Sequence, residues 1–255
     1  MGEADSIRAR GWTQGSILRG ADFGLSENEI YVVISHPCDV VSSDFDRDPV
    51  IEIVRARLVD SLDGNLTFGK NSRRLQIDHN GRFLELLATE KLTIDRSQLA
   101  AASPESDLGE SGQRLLASWL SARYARPAFA DEFNLRLRPV TKKIAKVLKS
   151  QGTHLSGIYV STSSSELAAG VSYQLTVVAT MLLDDFVDAE LFVEADEACD
   201  ALGSVLAEAD GVDLLSVELV SEDEMTLDSL RRFRRWDYDD LSFRAGDEQT
   251  LPPAG

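Results

Sequence analysis

Short runs of β-branched and aromatic residues alternate with turn-forming residues over the first third of the chain. Residues 15–18, 30–34 and 49–59 are such runs, and glycine, asparagine and serine residues separate them. Runs of this length between turn formers are typical of strands in antiparallel sheets. The pattern therefore predicts a small, mostly antiparallel β-barrel or sheet that forms a β-rich domain over residues 1–95.

Two dipeptides in this region favour tight turns between neighbouring strands. They are Asp63-Gly64 and Asn80-Gly81. Asp-Gly and Asn-Gly adopt the left-handed backbone conformations that two-residue hairpin turns require. We therefore predict a β-hairpin at each position, with a strand at 73–77 between them.

From about residue 96 the apolar residues recur at helical spacing instead. Residues 111–125 and 140–148 each place apolar side chains on one helix face, and the second of these helices is basic. Gly152 is well placed to end that helix. The sequence therefore predicts a helical segment over residues 96–151 that packs on the β-rich domain, with a domain boundary at its end.

The remaining residues alternate between strand-like and helix-like patterns. This order predicts an α+β sandwich with helices on one face of the sheet, as an acidic domain over residues 152–245, and a disordered tail at 246–255. The chain as a whole is therefore expected to be an α+β protein. The predicted elements of the second domain are strands at 157–161, 171–183, 212–220 and 241–243 and helices at 194–209 and 226–233.

Charge is distributed unevenly along the chain. The 255 residues carry a formal net charge of −17 at pH 7. Residues 1–150 contain 21 basic and 21 acidic side chains, whereas the stretch between Lys149 and Arg231 contains 17 acidic side chains and no lysine or arginine. Such a stretch attracts cationic partners and repels nucleic acid, so we expect a basic protein partner. The predicted partner-binding residues are Asp184, Asp185, Asp188, Glu190, Glu194, Asp196 and Glu197.

A basic stretch precedes the acidic one. Residues 123–149 contain eight basic and two acidic side chains, and Trp119 and Tyr124 lie next to arginines in a composition that suits base stacking. Both aromatic residues also fit the apolar stripe of the predicted helix. Because charges balance over the first 150 residues, nucleic-acid binding is the less favoured hypothesis.

The two cysteines indicate a reducing compartment. Cys38 and Cys199 lie far apart and cannot form the dense disulfide framework of a small secreted domain. No run approaches the length of a membrane span, and the N-terminal residues lack the pattern of a secretory signal. We therefore expect a cytoplasmic protein without a membrane segment.

The densest candidate for chemistry is Ser35-His36-Pro37-Cys38-Asp39, which follows an apolar strand. The tentative catalytic residues are His36, Cys38 and Asp39, because a cysteine nucleophile needs a nearby base or cation. The structural interpretation is favoured, in which Cys38 is a small buried residue and its neighbours satisfy backbone groups.

Metal binding is a weaker interpretation of the same segment. A structural zinc site usually needs four ligands, and His79, His154 and Cys199 are isolated in the sequence. We therefore predict neither a metal nor another cofactor.

A second polar cluster, at residues 69–74, combines a glycine with three cations. Lys70, Arg73 and Arg74 are the tentative phosphate-binding residues, although their spacing is not that of a P-loop. If they converge with His36, a phosphodiester-cleaving site becomes conceivable, with the histidine moving a proton and an arginine stabilising charge.

Two resemblances bear on these candidates. Residues 14–18, followed by 31–35, resemble the opening of the PemK/MazF-like barrels, a family that cleaves RNA. Ser16 stands where that family has an acidic residue. The resemblance implies a barrel and, less directly, RNA cleavage.

A wider pattern resembles uncharacterised bacterial proteins of mobile and phage-defence islands. It consists of residues 35–39, 69–71 and 119–129. The leading hypothesis is therefore an accessory interaction protein whose acidic domain docks on a basic partner. The alternative is a PemK/MazF-like RNA-cleaving enzyme, or a Cys/His-dependent one, that uses residues 35–39.

Overall fold

The computed structural model describes residues 2–125 and 129–236 and divides the chain into two compact units, Met1–Ala125 and Arg126–Gly255. Helices and strands occur in both units, which confirms the predicted α+β class. The first unit contains strands β1 (Ser16–Arg19), β2 (Ile30–Val33), β3 (Val50–Val59), β4 (Arg74–His79), β5 (Arg82–Asp95) and β6 (Ser106–Asp107), and helices α1 (Glu3–Ala9), α2 (Pro37–Val40) and α3 (Gly109–Ala125).

The described strands of the first unit form a curled antiparallel sheet in the order β4-β5-β3-β2-β1-β6. The register between β3 and β5 shifts between Val54 and Ala56. Ile51 and Ile53 precede this bulge and belong to one core cluster, whereas Val54 and Ala56 belong to another. Successive side chains of a strand point to opposite faces, so β3 contributes to the core on both faces of the sheet, while the bulge bends the strand and increases its twist.

Helices cover both faces of this sheet. On one face Leu116 and Trp119 of α3 are buried against the strands. On the other face Ile7 of α1, Trp12 and Leu99 are buried in a second cluster. The indole N–H of Trp12 donates to the carbonyl oxygens of Leu99 and Ala102, at 3.0 and 3.1 Å. Both faces of the sheet therefore contribute to the hydrophobic core of this unit.

Only one of the two predicted hairpins forms in this part of the chain. Asn80 and Gly81 connect β4 to β5, and both have positive φ angles, of 54° and 74°, as their residue types favour. The hairpin expected at Asp63-Gly64 is wrong, because β3 pairs with β5 and residues 60–73 form a loop with a 3₁₀ turn at Thr67–Gly69.

The elements described in the second unit are α4 (Asp131–Leu137), α5 (Thr141–Gln151), β7 (Gly157–Ser161), β8 (Tyr173–Met181), α6 (Leu183–Phe186), α7 (Ala189–Leu206), β9 (Val212–Ser221), α8 (Leu227–Arg232) and β10 (Arg234–Arg235). The described strands form a sheet in the order β10-β7-β8-β9. Strands β8 and β9 are parallel, and the chain between them forms α6 and α7. Parallel strands need such a crossover connection.

The helical segment predicted at 96–151 is divided between the units. Helix α3 packs on the first sheet, as expected. Phe133 of α4 and Ile144 and Leu148 of α5 are instead buried with β7, β8 and α7 in the core of the second unit. The boundary therefore lies after Ala125 and not at the end of α5, because the apolar faces of α4 and α5 help to cover the second sheet.

The described residues contain no helix with both the length and the apolar character that a membrane crossing requires. The strand predicted at 241–243 and the tail predicted at 246–255 lie outside the described residues.

Candidate functional site

The candidate catalytic residues lie at the exposed end of β2. His36, Cys38 and Asp39 are all exposed, and His36 precedes the short helix α2. The Nδ1 atom of His36 accepts a hydrogen bond from the backbone N–H of Cys38 at 3.2 Å. This bond assigns the ring proton to Nε2 in the neutral tautomer. Pro37 at the first helical position suits such a helix start. The expectation that Cys38 is buried is wrong.

A fully buried arginine fixes the loop that follows this helix. The guanidinium of Arg96 donates hydrogen bonds to the carbonyl oxygens of Asp39, Ser42 and Asp44, at 2.8, 2.9 and 2.9 Å. It also lies 4.0 Å from the centre of the Phe45 ring. Arg96 therefore holds the candidate segment in place from below the surface. Nothing in the sequence around Arg96 indicated this role.

The second polar cluster is largely buried. Lys70 is fully buried and donates to Thr67 Oγ1 at 3.0 Å. The Asn71 side chain accepts hydrogen bonds from the backbone N–H groups of Arg73 and Arg74, both at 2.9 Å. The burial of Lys70 and the turn around Asn71 indicate that this loop has a structural role. Lys70 is inaccessible to a phosphate in solution.

The arginines of this cluster differ in their surroundings. Arg74 pairs with the buried Glu85 at 2.8 Å, and Gln76 donates to the same carboxylate. Arg73 is exposed. Of the three cations predicted to bind phosphate, Arg73 is exposed, Arg74 is half-buried and Lys70 is buried.

The structure does not bring His36 together with Arg73 or Arg74. His36 follows β2 and the arginines begin β4, with β3 and β5 between these strands. Three interstrand spacings correspond to roughly 14 Å across the sheet. The strand order therefore gives no support to a phosphodiester site shared by His36 and these arginines.

The predicted partner-binding carboxylates lie on two consecutive helices of the second unit. We call this set, carried by α6, the N-terminal half of α7 and the residue between them, the acidic surface. Its members are exposed, except for the half-buried Asp185. The opposite side of α7 is apolar and buried, so the helix directs its carboxylates away from the core. The acidic surface consists of Asp184, Asp185, Asp188, Glu190, Glu194, Asp196 and Glu197.

Little in the described part of the second unit neutralises these carboxylates. The Nδ1 atom of His154 lies 3.8 Å from Asp185 Oδ2, and its Nε2 atom lies 3.7 Å from Glu194 Oε2. None of the described lysines or arginines forms an ion pair with the acidic surface. The basic helix α5 packs beside α7, where Lys143 pairs with Glu208 beyond the C-terminal end of α7. This ion pair therefore lies at the opposite end of α7 from the acidic surface.

Exposed apolar side chains accompany the acidic surface. Leu182, Leu183, Val187 and Val193 are 38%, 50%, 72% and 55% exposed. Apolar side chains in a polar rim are typical of protein interaction sites. The charges were evident from the sequence, but the exposure of these apolar side chains was not, because it depends on which face of α6 and α7 is covered.

Asp188 has a structural role in addition to its charge. Its Oδ1 atom accepts hydrogen bonds from the backbone N–H groups of Glu190 and Leu191, at 3.0 and 3.2 Å. It is therefore the N-cap of α7 and lies at the positive end of the helix dipole. Substitution of Asp188 would change the helix as well as the surface.

The remaining residues weighed as metal ligands stay apart. Cys199 is buried in α7, and burial, reinforced by Asp196 and Asp200, raises the pKa of its thiol to about 12. His79 bonds to Ser106 Oγ at 3.0 Å in the first unit. Within residues 2–125 and 129–236, no group of three or more histidine, cysteine or acidic residues is arranged to hold a metal ion.

The two aromatic residues next to the basic stretch differ in exposure. Trp119 is buried, and its indole N–H donates to the carbonyl oxygen of Asn71 at 2.9 Å. Tyr124 is 82% exposed, so its assignment to the buried stripe of α3 is wrong. A base-stacking role for Trp119 is incompatible with its burial.

A polar groove lies at the β9 side of the second sheet, and the sequence did not indicate it. Its volume is about 520 Å³. The Thr162 hydroxyl that borders it is buried and has no hydrogen-bond partner among the described residues. Asp213 and Leu215 of β9 form its outer wall and are exposed. The other lining residues are Ser161, Ser163, Leu167, Val171, Ser172, Gln174 and Thr176.

Comparison of this chain with protein-family models, with curated proteins and with solved structures found no match.

Proposed function

We propose that this chain is an interaction protein whose second unit binds a basic protein partner through the acidic surface. The observation that carries the proposal is a set of clustered carboxylates, mostly exposed and without a lysine or arginine partner among the described residues, next to exposed apolar side chains. A surface of one charge accelerates association with an oppositely charged partner. Burial of the neighbouring apolar side chains would stabilise the complex.

A DNA-handling protein is the class of partner that we favour. Such proteins present a basic groove to phosphates, and an acidic protein surface competes for the same groove. The resemblance of residues 35–39, 69–71 and 119–129 to proteins of mobile and phage-defence islands supports this choice. A negative surface on the second unit is unsuited to direct binding of nucleic acid.

The test is partner capture at low salt followed by reconstitution with the purified partner. We expect the affinity to fall steeply as salt rises, because the interface is electrostatic. The variant Asp184→Lys/Glu190→Lys/Glu197→Lys should lose binding, and added DNA should compete with the wild-type protein. Asp188 is left intact because it caps α7.

The matched control is Glu27→Lys/Asp46→Lys/Asp60→Lys, which makes the same change in net charge on exposed residues of the first unit. If both triple variants lose binding equally, net charge and not the acidic surface is responsible. If the partner binds equally well at low and high salt, the proposal is wrong.

Chemistry at residues 35–39 is the second candidate function. The exposure of both His36 and Cys38 at a strand end favours it, together with the resemblance of residues 14–18 and 31–35 to RNA-cleaving barrels. Cleavage of single-stranded RNA by the purified chain, abolished in His36→Ala and Cys38→Ala variants that remain folded, would support it. Full biological effect in both variants would exclude it.

A further inference from the structure

Strand β9 is an edge strand of the sheet that the described residues of the second unit form. It is ten residues long and lies at the end of the sheet order β10-β7-β8-β9. Among the described strands it pairs only with β8, through one of its two edges. A long strand edge of this kind offers backbone N–H and C=O groups to another strand.

Helix α7 covers one face of β9. Helix α7 packs closely on β9, since a Cβ atom placed on Gly203 would lie 3.2 Å from Val217 Cγ2. Leu214 and Val217 are partly buried against the core. A strand added at this edge would therefore extend a sheet that α7 already covers on one face.

The other face of β9 is exposed and carries acidic side chains. Asp213, Leu215 and Glu218 are exposed, and Leu215 is 59% exposed. Asp213 and Leu215 line the polar groove, and so does Thr162, whose hydroxyl has no partner within the described part of the chain. Alternate side chains of an added strand would project over this face.

Charge decides what occupies the edge. A second copy in antiparallel pairing would bring Asp213 and Glu218 close to the same acidic residues of its partner, and like charges across a strand pair are destabilising. A strand that carries lysine or arginine at alternate positions would instead place its cations beside these carboxylates.

We propose that the edge of β9 binds an extended lysine- or arginine-containing segment of the protein partner by strand addition. This inference rests on the proposed function, since it assumes that the partner is basic. Backbone hydrogen bonds to β9 provide the affinity, and the carboxylates with the adjoining groove select cationic side chains over anionic ones.

The test uses a capped seven-residue peptide of alternating lysine and valine as the probe. Hydrogen exchange in β9 should slow when the peptide binds, because outward N–H groups become bonded. The same peptide with its central amides N-methylated keeps its charge but loses its donors. We expect it to bind about tenfold more weakly or worse, since several backbone hydrogen bonds to β9 are lost at once.

Two variants of the full chain locate the binding. Asp213→Lys/Glu218→Lys should weaken peptide binding, whereas Asp46→Lys/Asp60→Lys, which makes the same charge change in the first unit, should leave it largely unchanged. Equal binding of the methylated and unmethylated peptides, or unchanged exchange in β9, overturns strand addition. A dimer that protects β9 would also overturn it, in favour of a second copy.

The two proposals fail in different ways. If the purified partner binds the acidic surface but the peptide does not protect β9, the proposed function stands and strand addition is wrong. If the peptide protects β9 while the variant Asp184→Lys/Glu190→Lys/Glu197→Lys retains full partner binding, the role of the acidic surface is wrong and the edge of β9 remains.

Discussion

The Nδ1 atom of His36 accepts its hydrogen bond from the backbone N–H of Cys38 and so acts as a helix cap. The imidazole nitrogen nearest the cysteine backbone is thereby occupied. A thiol needs a neighbouring base or cation to become a strong nucleophile. For Cys38 to use His36 in that way, the ring would have to give up this bond.

The two cysteines should differ sharply in their reaction with a small water-soluble thiol reagent. Cys38 is exposed, whereas Cys199 is 4% exposed and has a thiol pKa raised to about 12 by burial first and by Asp196 and Asp200 second. We expect Cys38 alone to react in the native protein and both to react after unfolding. Rapid native modification in a Cys38→Ala variant would contradict this expectation.

Replacement of Arg96 should destabilise the first unit. Arg96→Leu removes three donors and leaves the carbonyl oxygens of Asp39, Ser42 and Asp44 without them. Since each buried unsatisfied group costs about 1–3 kcal/mol, we expect the free energy of unfolding to fall by about 3 kcal/mol. Urea titration measures the change.

The matched control for this substitution is Arg114→Leu. Arg114 pairs with Glu110 on the surface, where both side chains are more than three-quarters exposed. Its loss should cost less than about 0.5 kcal/mol. Equal losses in the two variants would show that the Arg96 contacts contribute little.

Stability should decline at alkaline pH through Tyr31. Burial, together with a 2.6 Å hydrogen bond to Glu29 and the negative charge of that residue, raises the pKa of Tyr31 from 10.0 to about 12. Because the folded pKa exceeds the unfolded one, its contribution is fully present below pH 10 and is lost as the pH rises towards 12.

Unfolding free energies measured against pH test this linkage. Tyr31→Phe should flatten the alkaline decline, whereas Tyr124→Phe, at an exposed tyrosine, should retain the wild-type curve. An unchanged decline in Tyr31→Phe would assign the effect to another group.

Helix α7 should depend on its cap. Asp188→Ala removes the acceptor for the N–H groups of Glu190 and Leu191, and we expect a loss of about 1 kcal/mol in unfolding free energy. Asp188→Ser should recover most of that loss, because serine also caps helices. Glu190→Ala is the control, and a comparable loss there would argue against the capping role.

Local signals predicted the elements of the first unit better than their pairing. Asn80-Gly81 formed the expected hairpin because adjacent residues decide a two-residue turn. Asp63-Gly64 has the same local preference, yet β3 pairs with a strand that follows β4 in the chain. Periodicity indicates that a strand exists and which face is apolar, but it does not indicate its neighbour.

The candidate sites show the same division. The composition of the sequence indicated where the acidic side chains are concentrated, and the structure adds that all but the half-buried Asp185 are exposed. Their role in partner binding remains a prediction. The burial of Lys70 and of Arg96 could not be read from the sequence, since Arg96 bonds to carbonyl groups more than 50 positions away. The edge of β9 was also missed, because strand order depends on the whole sheet.

The acidic residues lie in the connection between two parallel strands, and this position limits which deletions the fold can tolerate. A two-residue turn can join antiparallel strands, but β8 and β9 run in the same direction and require a connection that crosses the sheet. Deletion of the charged segment would therefore remove the link that lets β9 join the sheet. Single substitutions can therefore change the charge of this connection. The connection must nevertheless stay long enough to return from the end of β8 to the start of β9.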